Sequence, residues 1–162
     1  MTDNLLIADE LWMEEALREA ALARSMGEVP VGAVIVADGR LISRGCNRNL
    51  IDRDPTAHAE VVALRAAAQS TMENREANHR LADCDMYVTL EPCAMCAGAL
   101  VHARIRRLVY AAEDPKAGAV KSVMQLINHP ALNHRMEVRG GVLSGRCAEI
   151  LQSFFREKRL KE

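Results

Sequence analysis

The chain has 162 residues, 49% apolar and 27% charged, which suits one domain spanning residues 1–162 with a core of its own. Five cysteines, an odd number, follow an acidic start, "MTDNLLIADE". With no secretion signal, that argues against a disulfide framework and for a cytoplasmic protein. The longest apolar run, "VPVGAVIVA", is too short to cross a bilayer, so no membrane role is expected.

In chain order, apolar residues at helical spacing (Met13, Ala16, Leu17, Ala20, Ala23) predict a helix over 11–26, ended by Gly27. "VGAVIVADGRLISRGCN" reads as two strands around an Asp38-Gly39 turn. Asp54 and Pro55 supply an N-cap and a first helical residue for a helix running to about residue 68. The polar "STMENREAN" is a loop, "MYVTL" a strand, "CAMCAGALVHA" a short helix and "IRRLVYAA" a strand. "AGAVKSVMQLI" is predicted helical, "NHPALNH" a loop and "RMEVRG" a short strand, with a last helix over 143–161. The order αββαβαβαβα implies an α/β protein, a three-layer α/β/α sandwich around a mixed five-stranded sheet. Its fully apolar middle strands suit positions buried on both faces.

Cys93 and Cys96 stand three apart where a strand gives way to a helix, and His58 lies near an earlier helix start. Three nitrogen and sulfur ligands suit catalytic zinc, which keeps a fourth position for water. Glu60 is two residues from His58; on the side of a helix they would point about 200° apart. They share a site only beyond the helix N-terminus. Two helix starts would then face one metal, their dipoles helping to hold the thiolates ionised. Other readings use the same residues: a thioredoxin-like redox pair, a structural zinc site with Cys84 or another histidine as fourth ligand, or a histidine merely hydrogen-bonded under the sheet. Together, H-A-E followed by P-C-A-M-C matches the nucleobase-deaminase signature H-x-E…P-C-x-x-C.

With "VPVGAVIV", "DPTAHAEVVALR", "MYVTLEPCAMCAGAL", "DPKAGAV", "NHPALNH" and "FFREKR", nearly the whole chain resembles the bacterial tRNA adenosine deaminases of cytidine-deaminase-like fold. The resemblance implies Zn2+ on His58, Cys93 and Cys96, with Glu60 shuttling protons. It implies Asn47 as the hydrogen-bond partner of the target base and Val29 and His58 as pocket walls. It assigns RNA contacts to Asp114, Lys116, Phe154, Phe155 and Arg156, and implies a homodimer acting on a tRNA anticodon stem-loop, with an arginine tRNA as substrate. The small residues of "CAMCAGALVHA" suggest dimer contacts through that helix and the one expected after Gly118. A free-base or nucleoside deaminase of guanine or cytosine type shares the zinc motif, and an RNA-binding module with structural zinc remains a third reading. The chain departs from the family in a longer segment, residues 70–78, and in Lys121 where glycine is usual.

Net charge is −1, yet residues 1–100 carry nine basic and sixteen acidic side chains and residues 101–162 twelve basic and six acidic. A basic face in the last third is therefore available. Phe154 and Phe155, followed by Arg156, Lys158, Arg159 and Lys161, suit a stacking surface beside phosphate contacts. They equally suit one ring in the core and one against a neighbouring subunit.

Overall fold

The computed structural model describes residues 2–72 and 75–162. Helix α1 (Thr2–Ser25) precedes the hairpin β1 (Gly32–Ala37) and β2 (Arg40–Cys46). Then follow α2 (Ala59–Gln69), β3 (Asp85–Leu90), α3 (Ala94–Ala103), β4 (Arg107–Ala112), β5 (Glu137–Arg139) and α4 (Ser144–Leu160). The sheet order is β2-β1-β3-β4-β5. β1 is antiparallel to β2 and β3, whereas β3, β4 and β5 run parallel. Asp38 and Gly39 turn the hairpin with φ of 50° and 69°. Both values lie in the left-handed region that the favoured two-residue turns require.

Alternation along the strands divides the core into two layers. Ala33 and Ile35, Met86 and Val88, and Leu108 and Tyr110 pack on one face with Ala63 and Ala67 of α2 and Ala97 and Leu100 of α3. Val34 and Val36, Tyr87, Val109 and Ala111 pack on the other with Met13, Ala16 and Leu17 of α1 and Cys147 of α4. Side chains of a strand point alternately to its two faces, so an all-apolar strand needs helices on both. The expected mixed five-stranded sandwich is the fold found.

Three boundaries differ from expectation. α1 begins at Thr2, well before residue 11, because Asp9, fully buried, continues the inward stripe of Met13, Ala16 and Ala20 as a charged residue. α2 begins at Ala59 and not at Pro55. Asp54 spends its Oδ1 on the Thr56 amide and hydroxyl in a separate turn. The Ala59 amide is instead capped from a distance, donating 2.9 Å to Asn47 Oδ1.

The third difference is larger: "AGAVKSVMQLI" forms turns and no helix. Its amides have a stronger acceptor than the next helical carbonyl. The carboxylate of Glu91, 1% exposed, accepts hydrogen bonds from the Lys121 and Ser122 amides at 2.8 and 3.0 Å. Ala119 N–H donates to Pro92 O at 2.8 Å. Of the two helices expected to carry dimer contacts, only α3 exists.

Candidate active site

The parallel strands β3 and β4 end at Leu90 and Ala112, and both residues line a cavity of about 870 Å³. The carboxyl ends of parallel strands are where open α/β sheets form ligand crevices. Two helix starts enter it. His58 is the N-cap residue of α2 and Cys93 that of α3, both in extended backbone and neither capping its own helix. Sequence spacing placed His58 in a helix's first turn. At the cap its direction is free of the helical period, so His58 and Glu60 line one cavity.

His58 Nδ1 lies 3.6 Å from Cys93 Sγ and 3.5 Å from Cys96 Sγ, and the three donor atoms lie within 4.8 Å of one another. A tetrahedral ion with zinc–sulfur bonds of about 2.3 Å and zinc–nitrogen bonds of about 2.0–2.1 Å sets sulfur and nitrogen about 3.6 Å apart. The donor triangle therefore fits zinc. Cys93 is pulled down to about 3 by hydrogen bonds with the Cys96 thiol and His58. Cys96 is pushed up by its bond to Cys93 and by burial. The Cys93 hydrogen bond raises His58.

Cys84 does not join this group. It accepts from Arg75 Nη2 at 3.3 Å, and burial pushes its thiol up to about 12. Among the described residues, His58, Cys93 and Cys96 are the cluster able to hold a metal.

Glu60, 4% exposed, sits in the first turn of α2, where burial raises its carboxyl above the usual carboxylate range. A buried carboxyl facing a cavity is placed to take up and return protons there. Val29, Asn47, Asp114, Lys116, Phe155 and Arg156 line the same cavity. Asn47 Oδ1 is taken by the Ala59 amide, which orients the side chain. Phe154 is the exception: it is half-buried, does not line the cavity, and meets Phe155 edge to face with centroids 5.4 Å apart. None of the described residues of the 70–78 segment lines the cavity.

A family model described as MafB19-like deaminase matches residues 7–159. The chain is 46% identical over 152 residues to the tRNA-specific adenosine deaminase of Haemophilus influenzae, covering 93% of this chain and 85% of that protein. The chain belongs to the tRNA-specific adenosine deaminase family. The Agrobacterium fabrum tRNA-specific adenosine deaminase is 48% identical over 151 residues, covering 93% of this chain and 96% of that protein. A solved tRNA:A34 deaminase superposes with a TM-score of 0.80 at 47% identity, covering 86% of this chain and 98% of that one. The guanine deaminase of Nitrosomonas europaea superposes at 0.75 and 25% identity, covering 90% of this chain and 83% of that one. This adenosine deaminase is thus a hydrolytic enzyme of cytidine-deaminase-like fold.

Arg159, read in the sequence as one of the basic residues after the phenylalanines, lines the cavity beside Arg156. Two residues of this deaminase went unremarked in the sequence. Glu28, 2% exposed, accepts the Leu50 and Ile51 amides at 2.8 and 2.9 Å, holding the loop that follows Asn47. Glu91 holds the loop on the other side, and its signal was an acidic residue between an apolar strand and Pro92.

Proposed function

We propose that the enzyme converts the wobble adenosine of a tRNA anticodon, that of an arginine tRNA, to inosine, using zinc held by His58, Cys93 and Cys96. The observation that carries this reading is the coexistence, in one cavity, of a zinc-sized donor triangle, a buried carboxyl and a rim of Lys116, Phe155, Arg156 and Arg159. Zinc there supplies the Lewis acidity that makes hydroxide accessible near neutral pH. Glu60 takes one proton from the attacking water and delivers it to N1 of the adenine ring, then takes the proton of the new C6 hydroxyl and delivers it to the amine, which leaves as ammonia. Asn47, with its oxygen already bonded, offers its amide hydrogens to the base, and Val29 and His58 flank the ring. A cavity of about 870 Å³ has room for an extruded base, and extrusion is least costly in a loop.

The deciding experiment incubates the enzyme with total bacterial tRNA and sequences the products. A-to-G reads at the wobble position of an arginine tRNA are expected. Turnover of free guanine or cytosine with untouched tRNA would replace this reading with that of a free-base deaminase. Metal analysis should find one zinc per chain, lost in His58→Ala. Active, metal-free protein with a Cys93–Cys96 disulfide would exclude the zinc assignment.

Phe155, 40% exposed, is the stacking residue, and Phe154 supports it. A stacked base contributes about 1–3 kcal/mol, so Phe155→Ala should weaken anticodon-arm binding roughly five- to hundred-fold with an unchanged melting temperature. Phe154→Ala should lower the melting temperature more than it lowers binding. Deleting 154–162 also removes Arg156, Lys158, Arg159 and Lys161 against Glu157 and Glu162, so that loss should be salt-sensitive. Wild-type editing by the truncated protein would make α4 structural only.

The enzyme acts as a homodimer in the cytoplasm. Support comes from exposed apolar side chains on α3 and in the turn segment after Gly118: Met95 at 38%, Val123 at 50% and Met124 at 45% exposure. Light scattering at micromolar concentration should give twice the chain mass, and a monomer alone would reject the dimer. No helix among the described residues is long and apolar enough to cross a membrane.

A further inference from the structure

We infer that Glu91 is a positioning residue: its buried carboxylate fixes the rim loop carrying Asp114 and Lys116 to the corner bearing Cys93, and so sets the binding of the anticodon loop. The inference rests on the tRNA reading above. Glu91 lies between β3 and α3 with 1% exposure. A buried carboxylate needs partners, because an unpaired one is strongly disfavoured. Among the described residues its partners are backbone amides of one loop. Oε2 accepts from Asp114 N–H at 3.2 Å, and Oε1 from Lys121 N–H at 2.8 Å and Ser122 N–H at 3.0 Å.

The loop is shaped around that carboxylate. Asp114 Oδ1 turns back to accept the Lys116 and Ala117 amides at 3.0 and 3.2 Å, which sets the rim. Gly118 bridges to Cys93, and a Cβ added at Gly118 would overlap Glu91 Oε2. Lys121 adds only an exposed ion pair of its side chain with Glu113 at 2.6 Å, so the loop depends on its amide and not on its charge. Its φ is not in the left-handed region, which is why a lysine serves there.

Charge-assisted bonds to backbone amides are stronger than neutral ones. Glu91→Gln keeps the volume but turns an NH2 group toward one set of amide donors. Gly118→Ala attacks the same contact from the loop side and leaves Glu91 intact. Both variants should keep zinc, raise KM for an anticodon-arm hairpin by about tenfold or more, and leave kcat within about threefold, the pattern of lost binding without lost chemistry. Trypsin should cut after Lys116 and Lys121 faster in both variants, a readout independent of turnover. Unchanged KM and unchanged trypsin cleavage in both would overturn the inference. Zinc loss with kcat falling in step would overturn it too, making Glu91 a support of the metal corner. If the wild-type enzyme does not edit the hairpin, the tRNA reading fails. Trypsin cleavage then still decides whether Glu91 holds the loop.

Discussion

Glu60→Ala is expected to fold, to keep its zinc, and to lose a factor of about 10³–10⁴ in turnover, the upper end of what a general acid–base group contributes. The upper end follows from the proposed mechanism, in which one carboxyl serves several transfers: from water, to N1 and to the departing amine. The other titratable groups lining the cavity have partners of their own. His58 and Cys93 belong to the donor triangle, Glu91 accepts three amides, Asp114 accepts the Lys116 and Ala117 amides, and Glu113 pairs with Lys121. Glu60→Gln is the sharper variant, because it preserves shape and removes proton transfer; it should be as inactive as the alanine. Glu60 does not belong to the donor group, so metal content should be unchanged in both. Near wild-type turnover at saturating substrate in Glu60→Gln would end the assignment.

The site was legible because its chemistry is local. H-A-E and P-C-A-M-C each sit on a few consecutive residues, and each places its donor side chains at a helix start, so short spacing carries the geometry. The strands were legible for the same reason, since unbroken apolar runs such as "GAVIVA" and "RLVYAA" mark two-sided burial. What was not legible depends on partners distant in the chain. The turn segment after Gly118 has helical spacing, but its amides go to Glu91, 30 and 31 residues away. The start of α2 is set by Asn47, 12 residues upstream, so the Asp54-Pro55 signal marked a turn. Hydrophobic spacing also began α1 too late, since the next inward residue toward its N-terminus is an aspartate.

That aspartate is the centre of a buried ion group. Asp9 is fully buried and holds three partners. Oδ1 accepts from the Tyr87 hydroxyl at 2.8 Å and Arg107 Nη1 at 2.6 Å, and Oδ2 from Arg107 Nη2 at 2.7 Å and Arg139 Nη1 at 2.5 Å. The group ties α1 to β3, β4 and β5 at once. Arg107 is itself 5% exposed, so Asp9→Ala strands a buried guanidinium, leaving it Glu137 at 3.1 Å and the Tyr87 hydroxyl at 3.5 Å. Breaking a buried pair in this way costs about 3–5 kcal/mol, or roughly 6–20 °C in melting temperature for a chain of this size. Burial works to raise the Asp9 pKa, but its hydrogen bonds with Arg107, Tyr87 and Arg139 outweigh it, and the net shift is downward. The stabilisation is therefore complete above the unfolded value of about 3.9 and fades as pH falls through the lower folded value. The melting gap between wild type and Asp9→Ala should be full at pH 7 and narrow on acidification below about pH 4. Asp9→Leu combined with Arg107→Met should recover much of the loss, because an apolar pair leaves no uncompensated charge while Arg139, at the edge, can turn to water. Equal melting of Asp9→Ala and wild type at pH 7 would show that the ion group is dispensable. A gap that persists unchanged at low pH would show that the alanine acts through lost packing instead of lost charge.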